Sequence, residues 1–252
     1  MIKLPISVVI LAEKNDELLQ QAIASVPWAN EILLLWNSSE KNPVFQLNDQ
    51  AHQILPHPGK ITDFAKLRNA AFSAAKNEWL FFLDRDERVV AGAEEVIKKI
   101  LDTPDLAAAS IRRIDVFHGH QMRWGEVGNV VIMRFVKKGH GQFIRPVHEV
   151  LEATGPVVHS GIVLEHFAHQ SLGSFWQKIS SYVELELTLR EKKSEKISAS
   201  TWWLWPVGKF FHNYFLRLGI LDGFPGLTYA IVMSVHSAAL RIRLLERQGT
   251  HA

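Results

Sequence analysis

Asp84 and Asp86 are carboxylates one residue apart, placed directly after five bulky apolar residues, Trp79-Leu80-Phe81-Phe82-Leu83. Such a run reads as a strand buried on both faces, as in a parallel sheet covered by helices. Open α/β sheets bind ligands at the carboxyl ends of their strands, so the acidic pair falls where such a sheet puts its site. On one side of an extended segment the pair can hold a hard divalent cation against a diphosphate, which is what a nucleotide-sugar site requires. A solvated acidic turn is the competing reading of a D-x-D motif taken alone.

The elements that must position this pair are legible upstream. Ile6-Ser7-Val8-Val9-Ile10-Leu11 is predicted to be a strand, and the polar loop Glu13–Asp16 leads into a helix with Leu18, Leu19, Ala22, Ile23 and Val26 on one side. Glu31–Trp36 reads as a second buried strand ended by Asn37-Ser38-Ser39, and Pro56, Pro58 and Gly59 mark a loop. Asp63–Lys76 has helical spacing and carries Arg68 and Asn69. The alternation predicts right-handed parallel β/α units over the first hundred residues. Downstream, a short helix is expected over Glu94–Leu101, strands over Ala107–Ile114, Val130–Val136 and Val157–Phe167, and a helix over Phe175–Leu189. No internal repeat or low-complexity run is present.

Composition removes several function classes. The chain has 252 residues, 47% of them apolar, enough for a sizeable core, and no cysteine, so disulfides, thiolate metal sites and cysteine nucleophiles are excluded. No G-x-G-x-x-G follows a strand, and neither a Walker-type loop nor a G-x-S-x-G elbow occurs. The histidines at 118, 120, 166 and 169 lack an H-E-x-x-H helix, which leaves a zinc site with little support. No basic stripe marks the body, so nucleic acid is not an expected partner. Met1–Pro5 leads straight into a strand without a signal-peptide pattern, and secretion is not expected; Asn37-Ser38-Ser39 is then a loop rather than a glycan acceptor.

The end of the chain differs in kind. Up to Gln170 there are 18 basic against 20 acidic residues, and beyond it 10 against 6. Trp202-Trp203-Leu204-Trp205-Pro206 opens an apolar segment through Phe210, Phe211, Tyr214, Phe215 and Leu218, and Gly223–Leu240 holds 18 residues without Lys, Arg, Asp or Glu. A basic, tryptophan-bearing, apolar tail predicts a helical hairpin lying in or dipping into one leaflet, with arginines reaching anionic lipid. Helices packed on the body or on a second subunit are the alternative. The expected division is residues 1–170 as one domain and 171–252 as a helical, membrane-associating region.

Taken together these residues resemble the family 2 inverting glycosyltransferases of the GT-A fold, and within them the branch of lipopolysaccharide-core β-1,4-glucosyltransferases. The matching pieces are Ser7–Ile10 with Lys14-Asn15-Asp16, Ala24-Ser25-Val26 through Ile32, Arg68-Asn69, Trp79–Arg88, Val147-His148-Glu149, Leu164-Glu165-His166, Tyr214–Gly219 and Leu221-Asp222-Gly223. The resemblance runs nearly end to end. It implies a Rossmann-like mixed sheet with helices on both faces and an apolar, membrane-associating C-terminal extension. It implies a UDP-sugar donor whose base meets Ala12, Glu13 and Asn15, with Arg68 and Asn69 on the nucleotide or diphosphate. Asp84 would meet ribose, sugar or metal, and Asp86 would bind Mg²⁺ or Mn²⁺, which neutralises charge on the departing diphosphate. His166 is a further candidate metal ligand, or a histidine packed at a strand end.

Inversion needs a base that takes the acceptor hydroxyl's proton. The resemblance gives that role to Glu149, with His148 orienting it or contacting phosphate; a surface salt bridge is the competing role for Glu149. Where relatives carry an aspartate after the second strand, this chain has Trp36-Asn37, which could stack on the base and bond its edge. The implied activity is hexose transfer to a lipid-linked or lipopolysaccharide-core acceptor at the cytoplasmic face of the inner membrane. A polyprenyl-phosphate sugar synthase, or a catalytically degenerate scaffold of the same fold, are the alternatives.

Overall fold

A computed structural model of the chain describes residues 3–38, 51–128, 130–146, 148–169 and 197–249, with single positions between 173 and 190. The chain separates into two compact units, Met1–Arg113 with Val130–His166, and Ile114–Asn129 with Phe167–Ala252.

In the first unit, strand β1 (Leu4–Ala12), helix α1 (Glu17–Ala24), β2 (Ala29–Trp36), β3 (Ala51–Pro56), α2 (Phe64–Ala74) and β4 (Trp79–Asp84) give the expected alternation. Next along the chain come β5 (Glu87–Val89), α3 (Ala93–Leu101), β6 (Ala108–Phe117), β7 (His120–Gln121), β8 (Val130–Lys137), β9 (Gly141–Ile144), β10 (Val150–Ala153) and β11 (Val157–His169). The main sheet runs β3-β2-β1-β4-β8-β6-β11-β5, with β7 beside β6. Strands β1 to β4 pair in parallel, whereas β8 meets β4 and β6 antiparallel and β5 meets β11 antiparallel. Because β5 comes two residues after β4 yet pairs at the opposite edge, the sheet curls on itself. The result is a mixed α/β sheet, parallel from β3 to β4 and with antiparallel pairs beyond.

Period-two burial explains why the central strands read as apolar runs. Ile6, Val8 and Ile10 of β1 join Phe81 and Leu83 of β4 in a core closed by α1 and α3. Val9, Leu80 and Phe82 face the other way, into a core closed by α2, Phe143 of β9 and Leu151 of β10. With both faces covered, both side-chain sets must be apolar. The helices start where a side chain can accept the free first-turn amides: Asp16 accepts from the Leu19 amide at 3.2 Å and Asp63 from the Lys66 amide at 2.8 Å.

Three short pieces were not expected. β3 is a half-exposed edge strand without an apolar run, β5 has three residues, and the β9–β10 hairpin occupies a stretch for which no element was expected. None carries enough periodicity to stand out. The helix expected over Phe175–Leu189 lies mostly outside the described residues, as do Ser39 and Val147.

In the second unit, α4 (Leu204–Phe211) runs into a wide π-helical turn (His212–Leu216) and stops at Leu218, whose φ is 58°. A 3₁₀ turn (Gly219–Asp222) then enters the 27-residue α5 (Gly223–Gly249). Gly226 is required there, because a Cβ would collide with the Gly219 carbonyl oxygen. Buried Asp222 accepts the Trp124 amide at 2.9 Å and the Arg123 amide at 3.1 Å, latching the 120–124 turn. Glu126 is likewise bonded to Lys209 and Asn213. Among the described residues no single helix is long and apolar enough to cross a membrane; the pair Leu204–Leu216 and Gly219–Gly249, bent by 71°, passes by length and composition. Leu216 is 77% exposed and Phe224 71%.

Phe81 packs edge-on against Trp28 and at a tilt against Phe135 in the first core. Phe81→Ala is therefore expected to cost about 3–5 kcal/mol, read as a lower urea midpoint; a loss under about 1 kcal/mol would mean the core is not packed as described.

Candidate functional site

The parallel strands β1, β2 and β4 end on the same side, and the site is built at those ends. Asp84 is the last residue of β4 and Asp86 lies in the two-residue turn before β5. Glu87, fully buried, accepts the Asp84 amide at 2.9 Å and so shapes that turn. β11 lies antiparallel to β5 with His166 opposite Glu87, which brings His166 Nε2 to 3.9 Å from Asp86 Oδ2.

Two arginines hold Asp84. Arg68 of α2 donates to Oδ1 at 2.5 Å, and Arg134 of β8 donates to Oδ2 at 2.6 Å. Arg134, 8% exposed, also donates to Glu87 at 3.2 Å. Burial alone would raise the Asp84 carboxyl, but the Arg134 and Arg68 guanidiniums outweigh it and hold it well below the usual carboxylate range. Glu87 shifts the other way: burial, with Asp84 adding, raises it despite Arg134. For Arg134 itself burial opposes the charge, and Asp84 and Glu87 keep it above its ordinary range.

Arg68 also carries the link to the second carboxylate. Its Nε donates to Glu149 Oε1 at 2.8 Å, so one buried guanidinium joins Asp84 to Glu149. The turn between β9 and β10 that bears Glu149 is fixed from α2: Asn69 exchanges two 2.8 Å hydrogen bonds with the Phe143 backbone, and the Phe64 amide donates to Pro146 at 2.8 Å. The exposed His148 beside it has a φ of 54°. Arg85, between the two aspartates, bonds Asp16 and approaches Glu13 at 3.9 Å, tying the loop after β1 to the D-x-D turn.

The sequence-derived residues thus divide. Arg68, Asp84, Glu149, Asp86 and His166 come together. Glu13 and Asn15 are exposed in the loop after β1, where Gln20 donates to Asn15 at 2.6 Å, and Ala12 ends β1 buried. Asn69 serves the hairpin instead of facing the site. Trp36 is 1% exposed within the first core, and Asn37, with its amide nitrogen donating, bonds the carbonyls of His57 and Gly59 at 2.8 and 2.7 Å. Trp36 presents no free face for stacking, and the Asn37 amide nitrogen is taken up by the loop after β3.

Arg134 and Glu87 were not found from sequence. The signal for Arg134 was a lone cation inside the apolar strand Val-Val-Ile-Met-Arg-Phe-Val, which has to be paired when buried. Among the described residues no group of three or more His, Asp or Glu could hold a metal ion. Asp86 and His166 together offer two donors. That suits Mg²⁺ or Mn²⁺, which take one or two protein ligands and complete their shell with phosphate and water.

No family model matches the chain. It is 25% identical over 147 residues to a TPR repeat-containing protein of Synechococcus elongatus, covering 58% of this chain and 35% of that protein. Solved structures similar to it include TarS of S. aureus, with a TM-score of 0.44 and 9% identity over 90% of this chain and 54% of that one. Another is the mannosyltransferase PcManGT of Pyrobaculum calidifontis, solved with GDP-Man and Mn²⁺, with a TM-score of 0.46 and 13% identity over 99% of this chain and 81% of that one. The chain spans about a third of the length of the Synechococcus protein and about half of TarS. These likenesses leave activity to be argued from the site.

Removing Arg134 leaves Asp84 and Glu87 without their shared cation, so Arg134→Gln is expected to cost about 3–5 kcal/mol of stability. Asp84, depressed in the folded state, stabilises above the unfolded carboxyl value and loses that contribution as pH falls through its folded value. Asp84→Asn should therefore flatten the decline in urea midpoint below about pH 4, the ordinary carboxylate range. An unchanged slope would show that the paired arginines do not act on Asp84.

Proposed function

We propose that the chain is a metal-dependent inverting glycosyltransferase that moves a hexose from a nucleotide sugar to a lipid-linked or lipopolysaccharide-core acceptor at the cytoplasmic membrane face. The observation that carries the reading is the convergence of Asp86, His166, Asp84, Arg68 and Glu149 at the carboxyl ends of the parallel strands. In this reading Asp86 and His166 hold Mg²⁺ or Mn²⁺. The metal, when bound, neutralises the leaving diphosphate.

The other roles belong to the chain's own side chains. Glu149 accepts the acceptor hydroxyl's proton; Arg68 fixes it by one oxygen and sets its distance from the D-x-D turn. Asp84 and Arg134 keep Arg68 in place, acting as positioning groups. The loop after β1, tied to Arg85 through Asp16, forms the edge over which the nucleotide lies. Exposed Trp203, Trp205, Leu216 and Phe224 support a tail that rests in a membrane interface beside a lipid acceptor.

The second reading, a degenerate scaffold, is favoured by one observation: Trp36 is buried in the core and the Asn37 amide nitrogen is engaged by the loop after β3. Calorimetric titration separates the two. With Mn²⁺ present, UDP or GDP should bind saturably to the wild type, and a protein that gives no heat with either is a scaffold. Asp86→Ala should remove metal-dependent transfer from a nucleotide sugar, and Glu149→Gln should lower turnover by about 10²–10⁴-fold while leaving nucleotide binding in place. Full activity in either variant assigns its residue wrongly.

A further inference from the structure

The loop after β1 and the D-x-D turn leave the sheet side by side, because Leu11 stands opposite Asp84 in the parallel register. A ligand lying across those strand ends meets both, so their relative position decides how well it is held. The turn consists of Arg85 and Asp86, and the two have separate attachments. Asp86 approaches His166 of β11 at 3.9 Å, while Arg85 bonds Asp16 of the loop and approaches Glu13 at 3.9 Å.

On the loop side the attachment goes through one carboxylate. Asp16 Oδ1 accepts the Leu19 amide at 3.2 Å, which fixes the start of α1, and its Oδ2 accepts from Arg85. On the turn side Arg85 follows Asp84, whose two oxygens are held by Arg68 and Arg134. The pair therefore connects a helix start and a strand end that are each anchored already, across the exposed residues Glu13, Lys14 and Asn15. The Arg85 side chain is 20% exposed and that of Asp16 37%, and ion pairs so placed contribute little to folding. What the pair does is select one position of the loop. A contact with little effect on folding and a fixed effect on a binding loop acts on the ligand by pre-organisation.

We infer that Arg85 is a positioning residue for the nucleotide: through Asp16 it holds the loop after β1 in its binding conformation, so that the loop need not be ordered when the nucleotide arrives. The inference rests on the proposed function, which it deepens. It assigns Arg85 no contact with the ligand, since the guanidinium is already turned to two carboxylates of the loop.

The test is calorimetric titration of UDP and GDP, with Mn²⁺ present, into the full chain and into Arg85→Gln, Asp16→Asn and the double variant. Asparagine caps a helix as well as aspartate does, so Asp16→Asn keeps the start of α1 and removes the charge that holds Arg85. For the nucleotide that the wild type binds, each single variant is expected to weaken binding about tenfold at unchanged stoichiometry, and the double variant to weaken it no further, as for residues acting as one unit. The urea midpoint should not move. Loss confined to Arg85→Gln would mean that the arginine touches the ligand, loss confined to Asp16→Asn that the aspartate does, and additive losses that each acts separately. Unchanged affinity, whether at full stoichiometry or with stoichiometry and urea midpoint both lowered, would reduce the pair to a surface or a purely structural contact. Each of these overturns the inference. A wild type that binds neither nucleotide tells against sugar transfer and removes the inference with it, whereas a wild type that binds no better than the variants removes the inference alone.

Discussion

A carboxylate at the end of a buried strand has to be compensated, and the way Asp84 is compensated organises the site. Arg68 comes from α2, Arg134 from β8, and Glu87 from the strand just after the D-x-D turn. A preceding helix, the following strand and a strand fifty positions away are thereby drawn to one point. Removing either guanidinium leaves a poorly hydrated negative charge, which costs far more than an exposed ion pair is worth. The same pairing sorts the two aspartates. Asp84 is engaged on both oxygens, and the Glu87 bond to the Asp84 amide sets the turn that carries Asp86 to His166.

Legibility in the sequence followed burial. β1, β2 and β4 stood out because a sheet covered on both faces requires unbroken apolar runs, and α1 and α2 because their apolar residues recur at helical spacing. β3 and the β9–β10 hairpin did not stand out; edge and two-stranded pieces are held by neighbours and need little pattern of their own. The acidic pair could be read directly because it interrupts an apolar run. Arg134 carried a comparable signal, a cation in an apolar strand, but its partner lies fifty positions away and only the sheet order reveals it. Trp36 and Asn37 show the opposite case. Their residue types suit base recognition, yet the loop after β3 takes up Asn37 and the core takes up the indole.

The tail shows how a motif can report architecture. Leu221-Asp222-Gly223 contains a carboxylate of a type that often does chemistry, but Asp222 is buried and accepts backbone amides of Arg123 and Trp124. Gly223 and Gly226 allow the sharp entry into α5, where a side chain at the second would strike the Gly219 carbonyl. This closure lets α4 and α5 meet at a bend with Leu216 and Phe224 outermost. An apolar surface so placed is maintained by backbone geometry, with side-chain identity left to suit whatever the surface contacts.

Charge also constrains what the first unit can bind. The cations described around the D-x-D turn are engaged: Arg68 and Arg134 by Asp84, Glu87 and Glu149, and Arg85 by Asp16. The carboxylates left part-exposed there are Asp86 and Glu149, with His166 beside the first. A bare diphosphate would be repelled by such a surface and would gain little from arginines already bonded at 2.5–2.8 Å. A diphosphate accompanied by a divalent cation would meet the opposite balance, since the cation would neutralise the phosphates. On the proposed function, the need for a metal would follow from the charges this fold has already paired, with Asp86 and His166 supplying two donors to an ion that takes the rest of its shell from the ligand.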